Sequence, residues 1–116
     1  MELYKKINLH SHTFRCKHAQ GNVADYIEEG IRNGMQVLGI SDHTPFPEPR
    51  DTGIRMELEE LPEYISEIES AQKKYQNIRI LKSLECDYTK EFISFYKEMK
   101  ENYHLDYLIG SVLFFL

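Results

Sequence analysis

The string His10-Ser11-His12 directly follows a strand-like run, Leu3 to Leu9, and sets two imidazoles two residues apart at its end. Alternation along an extended chain sends residues i and i+2 to one face, so both rings can reach one cation from a single edge. Neutral imidazole is the commonest protein ligand for a transition metal. His18 comes one loop later, His43 closes a second strand-like segment (Val37 to His43), and Glu85 ends a third (Ile78 to Glu85). Together these five side chains describe a metal site assembled at the ends of three successive strands.

The elements that must hold them alternate along the chain. The first strand is expected over about Tyr4 to His10, with Lys6, Asn8, His10 and His12 on one side and Ile7 and Leu9 on the other. A helix is expected from an Asn22 cap through Val23, Ile27 and Ile31, stopping at Gly34. The second strand spans Gln36 to Ser41. The stretch Asp42 to Met56, carrying Pro45, Pro47, Pro49 and Gly53, reads as an exposed loop where substrate contacts lie, and its Arg50 and Arg55 are candidates for charge-assisted bonds to a substrate phosphate. A second helix covers Leu61 to Tyr75 with Pro62 in its first turn and Leu61, Ile65, Ile68 and Tyr75 on its buried stripe. A third strand spans Ile78 to Leu84. Thr89 can cap a third helix with Phe92, Tyr96, Met99 and Tyr103 on one face, and Tyr107 to Phe115 reads as a fourth strand. Alternating strands and amphipathic helices imply a parallel α/β sheet with right-handed crossovers, whose strand C-termini share one edge. His10, His12, His43 and Glu85 all arrive at that edge. Asp42 either orients the His43 imidazole or caps the loop; Asp87 reads as structural or as a supporting group, and His104 as an exposed turn residue.

Whole-chain properties exclude several classes. The 116 residues hold one domain at most, well short of the roughly 250 of a complete (β/α) barrel. A net charge of −5 with no basic run argues against nucleic acid as a partner. No segment approaches a membrane span and the first residues lack a signal-peptide core, so a cytoplasmic location without membrane association is the expectation. Cys16 and Cys86 are too few for a disulfide framework and read as reduced bystanders.

Four strings in order carry a family resemblance: His10-Ser11-His12-Thr13-Phe14, Lys17-His18-Ala19, Ile40-Ser41-Asp42-His43 and Leu84-Glu85-Cys86-Asp87-Tyr88. They resemble the opening motifs of the PHP (polymerase and histidinol phosphatase) family, in its histidinol-phosphatase branch, and Arg55-Met56 followed by Glu60 to Tyr64 is similar to the stretch after the second histidine motif there. The resemblance implies a distorted (β/α)7 TIM-like barrel, of which residues 1–116 would form a partial PHP domain, the N-terminal part with about four parallel strands and three helices. It implies up to three divalent ions (zinc, manganese or iron), with His10 and His12 on the first, Glu85 bridging the first and second, and His18 and His43 on the third. The family's next motif ends in histidine, whereas this chain reads Gly110-Ser111-Val112-Leu113. Leucine cannot ligate a metal, so fewer ions are expected here.

What this implies for function is a metal-dependent phosphoric monoester hydrolase acting on a small phosphorylated substrate, histidinol phosphate, in histidine biosynthesis. Clustered cations both generate a nucleophile at neutral pH and offset phosphoryl charge, so no Ser or Cys nucleophile is required. Two other readings stand beside it: an inactive remnant serving as a metal-binding or oligomerising module, and a PHP phosphoesterase with another phosphorylated substrate. A cut barrel exposes strand edges and an inner wall, and the apolar run Val112 to Leu116 adds to this. A homo-oligomer, or association with a missing C-terminal half, is therefore expected.

Overall fold

The computed structural model describes residues 6–17, 19–48, 53–87 and 89–111. Within them four strands, β1 (Ile7–Asn8), β2 (Val37–Ile40), β3 (Arg79–Asp87) and β4 (Tyr107–Ser111), alternate with three helices, α1 (Val23–Arg32), α2 (Leu61–Lys74) and α3 (Ile93–Asn102). All neighbouring strands are parallel and lie in chain order, β1-β2-β3-β4. Sequential order with parallel neighbours keeps successive crossover helices on one side, which winds a barrel wall and not a sheet covered on both faces.

Local chemistry explains the helix limits. Asn22 accepts from the Asp25 N–H while Asp25 accepts from the Asn22 N–H, a reciprocal capping box that starts α1. At its other end Gly34 adopts φ 74°, and the N–H groups of Gly34 and Met35 bond the carbonyls of Ile31 and Gly30. That left-handed turn is cheap only without a Cβ. In α2, Pro62 falls in the first turn, where its missing N–H costs nothing, and Lys73 and Lys74 meet the negative end of the helix dipole.

The two faces of the sheet differ. Leu38, Ile40, Ile80, Leu84 and Cys86 point to the helices and form one core with Val23, Ile27, Tyr64, Ile68, Phe92, Tyr96 and Met99. On the opposite face Tyr107 reaches from β4 back toward β1, and its hydroxyl donates to the Leu9 carbonyl at 2.5 Å. The phenol crosses directly over Gly39, where a Cβ would stand 1.7 Å from the Tyr107 oxygen. This bond closes the curl of a half-barrel.

Three expectations need correction. The strand before the histidine pair ends at Asn8, short of His10. The third strand extends to Asp87, so Glu85 lies within it and does not terminate it. The stretch 42–56 is exposed only in part: Asp42, Thr44, Phe46, Arg55 and Met56 are buried, Pro47, Glu48 and Gly53 are exposed, and 49–52 lie outside the described residues. Its prolines exclude regular structure, yet Phe46 and Met56 anchor its ends in the core, Phe46 against the Phe92 ring at 4.8 Å. The run Val112 to Leu116 lies outside the described residues. Among the described residues, no helix is long and apolar enough to cross a membrane.

Candidate metal centre

After Asn8 the chain leaves the ladder. The Asn8 side chain accepts from the His10 N–H at 2.9 Å, turning the backbone across the strand ends. Ser11 then docks on β2, donating from Oγ to the Gly39 carbonyl (2.6 Å) and accepting at its own carbonyl from the Ser41 N–H (2.8 Å). The loop, and not strand alternation, therefore carries the two rings over the rim. There His10 Nε2 and His12 Nε2 lie 3.1 Å apart, and both face the same Glu85 Oε1, at 2.5 and 2.8 Å. Glu85 is largely buried, His12 half-buried and His10 exposed, so the cluster opens to solvent on one side.

Two imidazole nitrogens and a carboxylate oxygen turned toward a common point make a donor set that one divalent cation satisfies together. The residues present thus fit a metal ion. Burial alone would raise the Glu85 carboxyl, but the bonds it makes with His10 and His12 bring it below the ordinary carboxylate range. A carboxyl held ionised is what a metal ligand must be.

His43 stands beside this set. It pairs with Glu85 as an isolated parallel bridge, and its ring meets that of His12 edge-on at 4.7 Å between centroids. Burial lowers its pKa, and its Nδ1 is buried with no hydrogen-bond partner among the described residues. A neutral imidazole with a free nitrogen is the form that ligates. His18 and Arg50 lie outside the described residues.

Arg55 is 1% exposed; its guanidinium donates to Asp87 (2.7 Å) and to the Thr44 carbonyl (2.9 Å) and lies 4.0 Å over the Phe46 ring. These contacts make it a latch holding the proline-rich segment to the end of β3, where it was expected to meet a substrate phosphate. Asp87, expected to be structural, is its counter-ion. Sequence reasoning overlooked Arg15, a buried residue whose guanidinium bonds both oxygens of Glu67 on α2 (2.8 and 3.2 Å), and Tyr107 beneath the rim. Their partners are 52 and 98 residues away, and no local pattern announces such pairs. Asp42, left between two roles, spends both carboxylate oxygens on Thr13.

Comparison with known proteins identifies the family and the fold. Residues 8–115 match the family described as PHP domain. The chain is 36% identical over 104 residues to a Deinococcus radiodurans protein named "Probable histidinol-phosphatase", covering 89% of this chain and 40% of that one. It is 34% identical over 116 residues to a Schizosaccharomyces pombe protein of the same name, with 91% and 38% covered. A crystal structure of histidinol phosphate phosphatase from Lactococcus lactis, in complex with zinc, L-histidinol and phosphate, superposes with a TM-score of 0.77 at 26% identity, over 96% of this chain and 41% of that one. The chain spans about 40% of the length of the curated relatives it matches.

Proposed function

The chain belongs to the PHP domain family, and on that premise we propose that residues 1–116 are a partial PHP domain carrying the first metal centre of a histidinol-phosphatase-type phosphomonoesterase. The reaction would be hydrolysis of histidinol phosphate to histidinol and phosphate, a step of amino-acid biosynthesis. The observation that carries the reading is the convergence of His10 Nε2, His12 Nε2 and Glu85 Oε1 on one point. In it, His10, His12 and Glu85 hold one divalent ion, zinc, manganese or iron, and His43 with His18 serves a further one. When bound, such an ion offsets charge on the phosphoryl oxygens and lowers the pKa of a coordinated water. The chain's own part is to hold the ligands rigidly at a solvent-open rim, with Glu85 ionised and His43 neutral.

The test is metal analysis joined to a hydrolysis assay. The purified chain should bind about one divalent ion tightly, and His10→Ala/His12→Ala should abolish that binding; unchanged stoichiometry in the double variant would sink the assignment. Three ligands from this chain leave the remaining coordination to groups it does not provide, so its own turnover of histidinol phosphate should fall far below the roughly 1 per second of ordinary enzymes. Turnover at that rate with another phosphomonoester would move the substrate assignment within the same family.

A second reading is favoured by the open inner wall. Ile7 and Leu9 are exposed on it, at 53% and 42%. In this reading the chain is a metal-binding module that associates with itself or with a C-terminal PHP segment. Sedimentation equilibrium at micromolar concentration separates the two: an oligomer supports the module, and a monomer with a cooperative melt removes it.

A further inference from the structure

The segment from Leu9 to Thr13 holds two of the three metal donors and lies beyond β1, docked on β2 at its middle by Ser11. What secures it at its far end is Asp42. This residue is fully buried, and both of its carboxylate oxygens accept from Thr13, Oδ1 from the N–H at 2.7 Å and Oδ2 from the hydroxyl at 2.5 Å. Thr13 follows His12 directly, so fixing the Thr13 N–H fixes the peptide plane from which the His12 ring is aimed.

The main chain of the same residue reaches the third donor. The Asp42 carbonyl accepts from the Glu85 N–H at 2.8 Å, and the Thr44 N–H donates to the Glu85 carbonyl at 2.9 Å. Asp42 is itself held, since its N–H donates to the Tyr64 hydroxyl at 3.1 Å, and that hydroxyl also bonds the carbonyls of Ile40 and Ser83. One buried residue thus touches both the histidine loop and β3, through its side chain on one side and its backbone on the other.

We infer that Asp42 is the positioning residue of this centre, fixing His12 through Thr13 and Glu85 through its own backbone. The inference rests on the metal-centre reading of His10, His12 and Glu85. A buried carboxylate is expensive unless hydrogen-bonded and compensated by nearby positive charge. Here Thr13 supplies the bonds, and a cation held by His12 would supply the charge. Groups that orient a ligand in this way commonly change metal affinity by about 10–100-fold when altered.

The experiment uses Thr13→Val, which keeps shape and loses the hydroxyl, and Thr13→Ser, which restores it, with Asp42→Asn as a second route to the same contact. Two quantities are read: zinc affinity by competition titration, and amide hydrogen exchange of the metal-free chain. Thr13→Val and Asp42→Asn should weaken zinc binding by about 10–100-fold and speed exchange over residues 9–13, with α1 and α2 unchanged, while Thr13→Ser stays near the parent. Unchanged affinity in Thr13→Val overturns the inference, even if exchange quickens, because the clamp would then hold a loop without aiming a ligand. Failure of the parent chain to bind zinc or manganese would instead reject the metal reading. In that event exchange alone decides whether Asp42 fixes the segment: faster exchange in Thr13→Val supports it and unchanged exchange overturns it.

Discussion

The two faces of the sheet are built from alternate residues of the same strands, but only one of them is finished. Toward the helices, Ile40, Ile80 and Leu84 are sealed beneath Tyr64, Ile68, Phe92 and Met99. Toward the barrel interior, Ile7 is 53% and Leu9 42% exposed, and Tyr107 is the bridge across the opening. The finished face is local in sequence, since each helix covers the strands it connects. The inner face of a barrel needs its opposing wall, and the candidate metal centre sits at the rim where the two faces meet. Stability thus comes from the helix-facing side, while the candidate site stands at the edge of the sheet.

The largest effect that would sharpen this contrast is a truncation on each side. Leu84→Ala removes a fully buried side chain and should cost about 2–5 kcal/mol in urea unfolding, whereas Leu9→Ala on the open face should cost about 0.5 kcal/mol or less. Equal costs would show that the inner wall is already packed.

A substitution of middle size tests the bridge. Gly39→Ala forces a methyl into the Tyr107 phenol, and overpacking of this kind costs about 1–3 kcal/mol. Combining it with Tyr107→Phe should recover little, because the ring carbon is also too close, at 2.9 Å. Tyr107→Phe by itself removes one hydrogen bond to Leu9, worth about 1 kcal/mol. Thermal melts of the three variants check this, and a neutral Gly39→Ala would mean that Tyr107 does not lie across the sheet.

The smallest effect is alkaline. Burial pushes the Tyr64 hydroxyl well above its ordinary range and raises that of Tyr96 as well. An acid whose folded pKa is raised stays protonated while the unfolded chain ionises. These two residues therefore leave stability intact below about pH 10 and erode it as pH rises past that value. Phenolate absorbance during an alkaline titration should show these hydroxyls ionising together with unfolding; early ionisation of Tyr64 would place it outside the finished core.

Much of the fold could be read from local pattern because its determinants are local. Asn22 and Gly34 delimit α1, and the fourfold spacing of Val23 and Ile27 marks its buried side. The helix-facing core follows from such spacings, as does the parallel order of the strands. The burial of the two ends of the 42–56 segment was not legible, since prolines indicate irregular backbone but carry no information on whether Phe46, Arg55 and Met56 turn inward. Arg55 shows the ambiguity plainly: a loop arginine suits a phosphate or a buried carboxylate equally well until Asp87 is seen beside it.

The sequence by itself determined the kinds of donor atoms available and the strands near which they belong. His10, His12, His43 and Glu85 could be singled out because nitrogen and oxygen ligands near the ends of consecutive strands form a chemical pattern. Only the tertiary structure decided that His10 and His12 reach Glu85 by a loop docked through Ser11 and Thr13, and that Asp42 joins that loop to β3. The physical reason is range. Periodicity reports which face a residue occupies within its own element, whereas the bonds that aim a side chain join residues about 30 to 75 positions apart, and those pairings exist only after the sheet has curled.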